Sequence, residues 1–290
     1  MKTAARVALG VALLAAVVWY ADPAALARAL ASVDLRWFLA AVAASIISNV
    51  FSAARWAAIA RGLGLAAPLG AAVRMYFRGM TMNVLLPGAT VSGDLLRGYQ
   101  LAQLPQNEGA LLRSGLSVLL DRLSGLWILC ASSLVALLAA LAAGFIPDEG
   151  RIWAYCTGLV VALALPWLPV PIHQLEKIRR EALASGGPLL RSVWLSVLVQ
   201  IFSAAALWLC GFAAGVSLSY PAMLAAAAPI FIMGAMPLGW GGFGARELSA
   251  VVVLGALGVP AEQATVTGLL YGISAVLQGV VAAPLFILKH

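Results

Sequence analysis

Apolar runs long enough to cross a bilayer recur along the whole chain, and they constrain the fold more than any single motif does. Residues 37–60, 110–143, 192–214 and 262–288 each supply roughly the 20 residues that the hydrocarbon layer demands. Of the 290 residues, 63% are hydrophobic and only 10% are charged, against about 25% charged in a soluble domain. A mean hydropathy of +1.00 leaves more apolar surface than one core can hide. The chain therefore reads as an all-α integral membrane protein of many passes.

The basic residues support the same reading. The formal charge is +7, but Lys and Arg are scattered over short loops between apolar runs, as topology control requires, so nucleic acid is not expected as a partner. Cys130, Cys156 and Cys210 each lie inside an apolar run without paired spacing, so neither a disulfide nor a metal site is expected. The two histidines, His173 and His290, supply no metal or catalytic set. There is no Walker A sequence and no Ser/His/Asp set, so the chain reads as a non-enzyme with no cofactor.

Two stretches interrupt the apolar pattern. Residues 83–99 read NVLLPGATVSGDLLRGY and residues 235–247 read AMPLGWGGFGARE. In both, a proline is followed by a Gly-rich gap and then an arginine, ten positions from Pro87 to Arg97 and nine from Pro237 to Arg246. The apolar arms flanking each break are too short for an ordinary span of about 20 residues. The economical reading is a pair of re-entrant helical hairpins, about 66–104 and about 222–258. Such breaks are tolerated only where they are buried in protein or line a polar cavity.

Walking the chain with this device in place gives a topology. Val7 to Tyr20 imitates a signal peptide, with Ala25-Leu26-Ala27 as a mock cleavage site, but is read as a first transmembrane helix ending at Trp19-Tyr20. Residues 21–36 form an outer loop. Arg55 and Arg61 mark the cytoplasmic end of the second span, and Arg55-Trp56 reads as an interfacial anchor. A span over 110–143, an outer turn at 147–150, a span over about 152–169 and an inner loop over 171–191 follow. The basic cluster Lys177, Arg179 and Arg180 in that loop sets topology. This arrangement puts Arg28, Arg36, Arg151 and Arg246 on the outer side and the other 14 of 18 Lys and Arg inside, a clear positive-inside bias. Both termini are cytoplasmic.

The halves then match. Residues 1–146 hold three spans with an inner hairpin, and residues 147–290 hold three spans with an outer hairpin. This is a 3+3 inverted-topology repeat, in which substrate sites form where paired broken helices meet near the midplane. Pro87, Gly88, Gly93, Pro237, Gly239, Gly241, Gly242 and Gly244 are the hairpin tips. Asp94 and Arg97, three apart, share a helix face, and a helix beginning at Gly93 would aim its amides at an anion. Arg246-Glu247 stands in the same relation to Gly241–Gly244. Asp121 and Arg122 are adjacent and point to different faces, so one is expected to meet the first hairpin. Asn83, Ser92, Tyr99 and Gln103 supply further polar groups. The expected binding set is Arg97, Arg246, Asp94, Glu247, Asp121, Arg122 and Asn83. The alternatives are a structural salt bridge closing the hairpin for Asp94 and Arg97, a helix-packing surface around Arg246-Glu247, an interfacial pair at the inner membrane surface for Asp121-Arg122, and an interhelical hydrogen bond for Asn83.

LLPGATVSGDLLRGY, the Asp121-Arg122 pair followed by Gly125, and MPLGWGGFGARE together resemble the lysylphosphatidylglycerol synthase transmembrane-region family. The resemblance runs from Arg55-Trp56 to the last span. It implies the flippase-like membrane domain of the multiple peptide resistance factor in stand-alone form, in a bacterial inner membrane, with a soluble synthase elsewhere. Pro87, Gly93, Asp94, Arg97, Asp121, Arg122, Pro237, Gly242, Gly244, Arg246 and Glu247 carry the motif. The expectation is a lipid translocator that moves a phosphate-bearing lipid between leaflets. The alternative is a non-transporting lipid-binding or assembly partner of a separate lipid-modifying enzyme. A homodimer is compatible with either.

Overall fold

The computed structural model describes residues 3–85, 91–105, 109–144, 150–164, 186–236, 238 and 241–286. Those residues form an all-α bundle. Its helices are α1 (Thr3–Tyr20), α2 (Pro23–Ala31), α3 (Leu35–Gly62), α4 (Leu69–Leu85), α5 (Val91–Ala102), α6 (Ala110–Ala142), α7 (Gly150–Ala164), α8 (Gly186–Ala213), α9 (Tyr220–Ala235), α10 (Ala245–Gly255) and α11 (Ala261–Val281), followed by a 3₁₀ turn at Ala283–Phe286. Among them α3, α6, α8 and α11 are long and apolar enough to span a membrane, and a fifth span arises if the bent pair α1/α2 counts as one.

The bent pair corrects the outer loop expected over residues 21–36. α2 turns away from α1 by 91°. Its start is encoded locally: Asp22 accepts a hydrogen bond from the Ala24 amide at 2.9 Å, and Pro23 occupies the first helical position, where its missing N–H costs nothing. Leu26 holds α2 down by packing with Phe38, Val266 and Leu270.

Small side chains decide the packing. α3 and α8 lie against each other along their length, and Ala41, Ala44, Ser45, Ser48 and Ser52 are buried on α3. Ser48 is 2.7 Å from the Ser203 hydroxyl across this seam. Without a hydrophobic force between helices in lipid, close backbone approach and such bonds supply the association. On α9, Ala225, Ala226, Ala227 and Ala228 are all buried, which lets α6 and α8 close around it.

Several helix contacts come in matching sets. α3 contacts α4 as α8 contacts α9, α4 contacts α11 as α9 contacts α6, and α5 meets α6 as α10 meets α11. The stops that precede the two broken regions match as well. Gly64 ends α3 and Gly215 ends α8, both left-handed at φ 76° and 82°. The next amide then folds back, Leu65 to the Ala60 carbonyl and Val216 to the Gly211 carbonyl, the Schellman arrangement that positive φ permits.

Candidate functional site

Both interrupted regions are helix pairs packed side by side, α4 on α5 and α9 on α10. In each, a glycine from either arm forms the crossing. A Cβ on Gly93 would fall on the Gly79 carbonyl oxygen, and a Cβ on Gly242 would fall on the Gly234 carbonyl oxygen. Four residues beyond the second glycine of each crossing comes the arginine, Arg97 or Arg246, one helical turn away. α5 begins two residues before Gly93. Its amides are capped from α4: Asn83 Oδ1 accepts from the Gly93 amide at 2.8 Å and from the Ser92 hydroxyl at 3.3 Å. Pro87, Gly88, Pro237 and Gly239 lie outside the described residues.

Arg97 is held on every side. Its Nε donates to Asp94 at 3.0 Å and its Nη1 to Asp121 at 2.9 Å. Its guanidinium carbon stands 5.0 Å from the Trp56 ring and 5.2 Å from the Tyr76 ring, cation–π distances. Asp121 accepts a second bond from Arg55 Nε at 2.8 Å, and Asp94 accepts Nε and Nη2 of Arg122 at 2.7 and 2.9 Å. The charges alternate as Arg55, Asp121, Arg97, Asp94, Arg122, which leaves one net positive charge. Both members of the Asp121-Arg122 pair therefore meet the first hairpin, where only one was expected to.

Arg55-Trp56 is not the interfacial anchor that the sequence implies. Arg55 is buried and Trp56 fully so. Trp56 Nε1 donates to Ser117 at 3.0 Å. Gly125 makes the room for Arg55: a Cβ there would stand 2.8 Å from its Nη1. Burial of the pair follows from the partners that α6 offers one turn apart, Ser117 and Asp121, which no local pattern around residue 55 discloses.

Arg246 is held differently. Its Nη2 donates to the Gly241 carbonyl at 2.8 Å, and Phe243 and Tyr271 lie 5.5 and 5.9 Å from its guanidinium carbon. Its Nη1 makes no hydrogen bond and stands 3.9 Å from Glu247 Oε1. Glu247 is fully buried and closes the start of α10 by accepting the Gly244 amide. Gly234, Gly242 and Gly272 form the seat of Arg246, each leaving space that a Cβ would take from it.

These parts meet around a cavity of about 230 Å³. The first hairpin contributes Tyr76, Asn83, Asp94 and Arg97, and α6 contributes Arg122. The second hairpin contributes Phe243 and Arg246, α3 contributes Asn49, and α11 contributes Gly272. Asp121 and Glu247 stand one layer behind, against the arginines rather than in the lining. Gly272 and Asn49 were not foreseen as site residues. Gly268 and Gly272 form a small-xxx-small spacing that signals close packing, and Asn49 is tied to Gln278 at 2.8 Å. Among the described residues no group of three or more His, Cys, Asp or Glu could hold a metal ion.

Fold and site together define a multi-pass membrane protein with a charged cavity between two broken helix pairs. The family description lysylphosphatidylglycerol synthase TM region matches residues 7–282, nearly the whole chain, and the protein belongs to that family. It is accordingly a flippase-like, lipid-handling membrane domain of the bacterial inner membrane. A search of curated proteins finds no match.

Proposed function

We propose that the protein moves a phosphate-bearing lipid between leaflets, with the headgroup passing through the cavity between the two hairpins while the acyl chains stay in the bilayer. The observation that carries this is the lining itself: Arg97 and Arg246, one from each hairpin, face one cavity together with Arg122. Ionisable groups at membrane depth are costly and mark substrate paths. Arg97, Arg122 and Arg246 bind the phosphate, Asn83 and Asp94 shape the lining, and Asp121 and Glu247 hold the arginines in place.

In this reading residues 1–146 and 147–290 are inverted repeats, each of three spans and one re-entrant hairpin. The matching sets of helix contacts and the two glycine crossings support it. So do helix lengths. α4 and α9 have 17 and 16 residues and α5 and α10 have 12 and 11, rising about 25 and 17 Å at 1.5 Å per residue, short of a hydrocarbon layer of about 30 Å. The inner hairpin opens to the cytoplasm and the outer one to the far side.

The test is headgroup translocation in proteoliposomes. The expected result is protein-dependent movement of a phospholipid that falls at least tenfold in Arg97→Ala and in Arg246→Ala. Wild-type rates in both variants for every lipid would overturn the proposal.

A further inference from the structure

We propose that Glu247 is a proton site coupled to the headgroup: it takes up a proton when a headgroup phosphate binds Arg246 and releases it when the phosphate leaves. The inference rests on the assignment of Arg246 to that phosphate and adds a proton to the cargo.

The two carboxylates of the first hairpin are tied on both oxygens. Asp94 Oδ1 accepts from Arg97 and Arg122, and its Oδ2 from Arg122. Asp121 gives one oxygen to Arg55 and the other to Arg97. Glu247 differs. It is 0% exposed, its Oε2 accepts the Gly244 amide, and its Oε1 is enclosed without a hydrogen-bond partner. Facing that oxygen at 3.9 Å stands Arg246 Nη1, an enclosed donor that also lacks a partner. A charge-assisted bond between them would be about 2.7–2.9 Å long, so the pair stands about 1 Å short of closing. Buried polar atoms without partners are rare, and here two of opposite kind face each other across one gap.

One guanidinium thus serves two anions. Arg246 lines the cavity, where a phosphate would meet it, and Glu247 lies behind it. An ionised Glu247 draws Nη1 away from the cavity and repels an incoming phosphate. A proton on Oε1, the oxygen that Gly244 leaves open, ends both effects. By linkage, a phosphate on Arg246 favours the protonated carboxyl by the same factor. The charge of a phosphodiester and that of the proton cancel, so the cavity gains no net charge. The neighbouring elements compete little for this role. α11 covers Glu247 with Gly268, α1 meets Gly244 through Gly10, Leu13 and Leu14, and α9 sets Gly234 against Arg246. Beyond Arg246, the titratable groups beside the carboxyl are Tyr271 of α11, 5.9 Å from the guanidinium carbon, and Cys210 of α8, within electrostatic range of Arg246 and Tyr271.

Isothermal titration calorimetry of the purified full-length chain, run in buffers of different ionisation heat, counts the protons taken up per ligand. The probe is short-chain phosphatidylglycerol, with protein-free micelles subtracted. Between about pH 5 and about pH 9 the wild type should show a window in which uptake approaches about one proton per lipid, and above it the affinity should fall by up to about tenfold per pH unit. Glu247→Gln should show no uptake and a flat affinity over the same range. Glu247→Asp keeps a carboxyl on a shorter side chain, so it tests the assignment even where the glutamine variant does not fold, and its window should move by about one pH unit or more. Binding without uptake in the wild type, uptake that persists in Glu247→Gln, or an unmoved window in Glu247→Asp overturns the inference alone. No binding at all overturns the phosphate site on Arg246 and the inference with it. Loss of proteoliposome transport with the uptake intact would instead overturn translocation and leave the proton site standing.

Discussion

Replacing Asp121 with Asn removes one negative charge from a place where two arginines depend on it. Asp121 is 1% exposed and accepts Arg55 Nε at 2.8 Å and Arg97 Nη1 at 2.9 Å. Arginine does not lose its proton in proteins, so both guanidiniums stay charged and enclosed, and Asn offers one acceptor where two were used. Breaking a buried pair by removing one partner costs about 3–5 kcal/mol. The Asp94–Arg122 pair is the internal control. It is bidentate at 2.7 and 2.9 Å, but the Arg122 side chain is 42% exposed, and removing it leaves Asp94 still paired with Arg97 at 3.0 Å. Arg122→Ala should therefore be several-fold milder than Asp121→Asn. Unfolding by SDS in mixed micelles measures both free energies. Equal losses, or a loss below about 1 kcal/mol for Asp121→Asn, would show that burial does not govern this charge chain.

Glycine substitutions should separate crossing points from open positions. Gly93→Ala and Gly242→Ala place a methyl on the carbonyl oxygens of Gly79 and Gly234 and should abolish proteoliposome transport. Gly115→Ala meets nothing within 4 Å and should retain it, with a gain of up to about 1 kcal/mol in helix stability. Gly272→Ala puts its methyl against Arg246 Nη1 and should weaken phosphatidylglycerol binding at least tenfold by native mass spectrometry while Asp121-dependent stability is unchanged. Membrane-impermeant thiol labelling of intact spheroplasts checks the topology. Cys130, Cys156 and Cys210 are buried and should stay silent, Arg28→Cys should react from outside, and Arg113→Cys should react only after permeabilisation.

The sequence could specify the bilayer because hydropathy is additive along the chain. Runs of apolar residues and the placement of Arg and Lys need no tertiary partner to be read. The same holds for the two breaks, since proline and clustered glycines disturb a helix wherever it packs, and for Asp94 and Arg97, whose three-residue spacing makes them neighbours on any helix. Local chemistry at Asp22-Pro23 also encodes α2, yet the surrounding hydropathy hid a short helix inside what reads as a loop.

Pairing across the fold was not legible. Arg55 and Trp56 look like an interfacial anchor until α6 brings Asp121 and Ser117 beside them, because burial of a charge depends on a partner 66 positions away. Gly272 becomes the seat of Arg246 only when α11 packs on the second hairpin. Most of all, Arg97 and Arg246 look equivalent as residues, each one turn beyond a glycine crossing. Their surroundings make them different: Arg97 has two carboxylates in hydrogen-bond contact, and Arg246 has one beyond hydrogen-bond reach. Composition and spacing thus account for the class of protein and for the two interruptions, because those properties are local. The division of labour between the two arginines belongs to the folded bundle, because electrostatic commitment is a matter of distance through space.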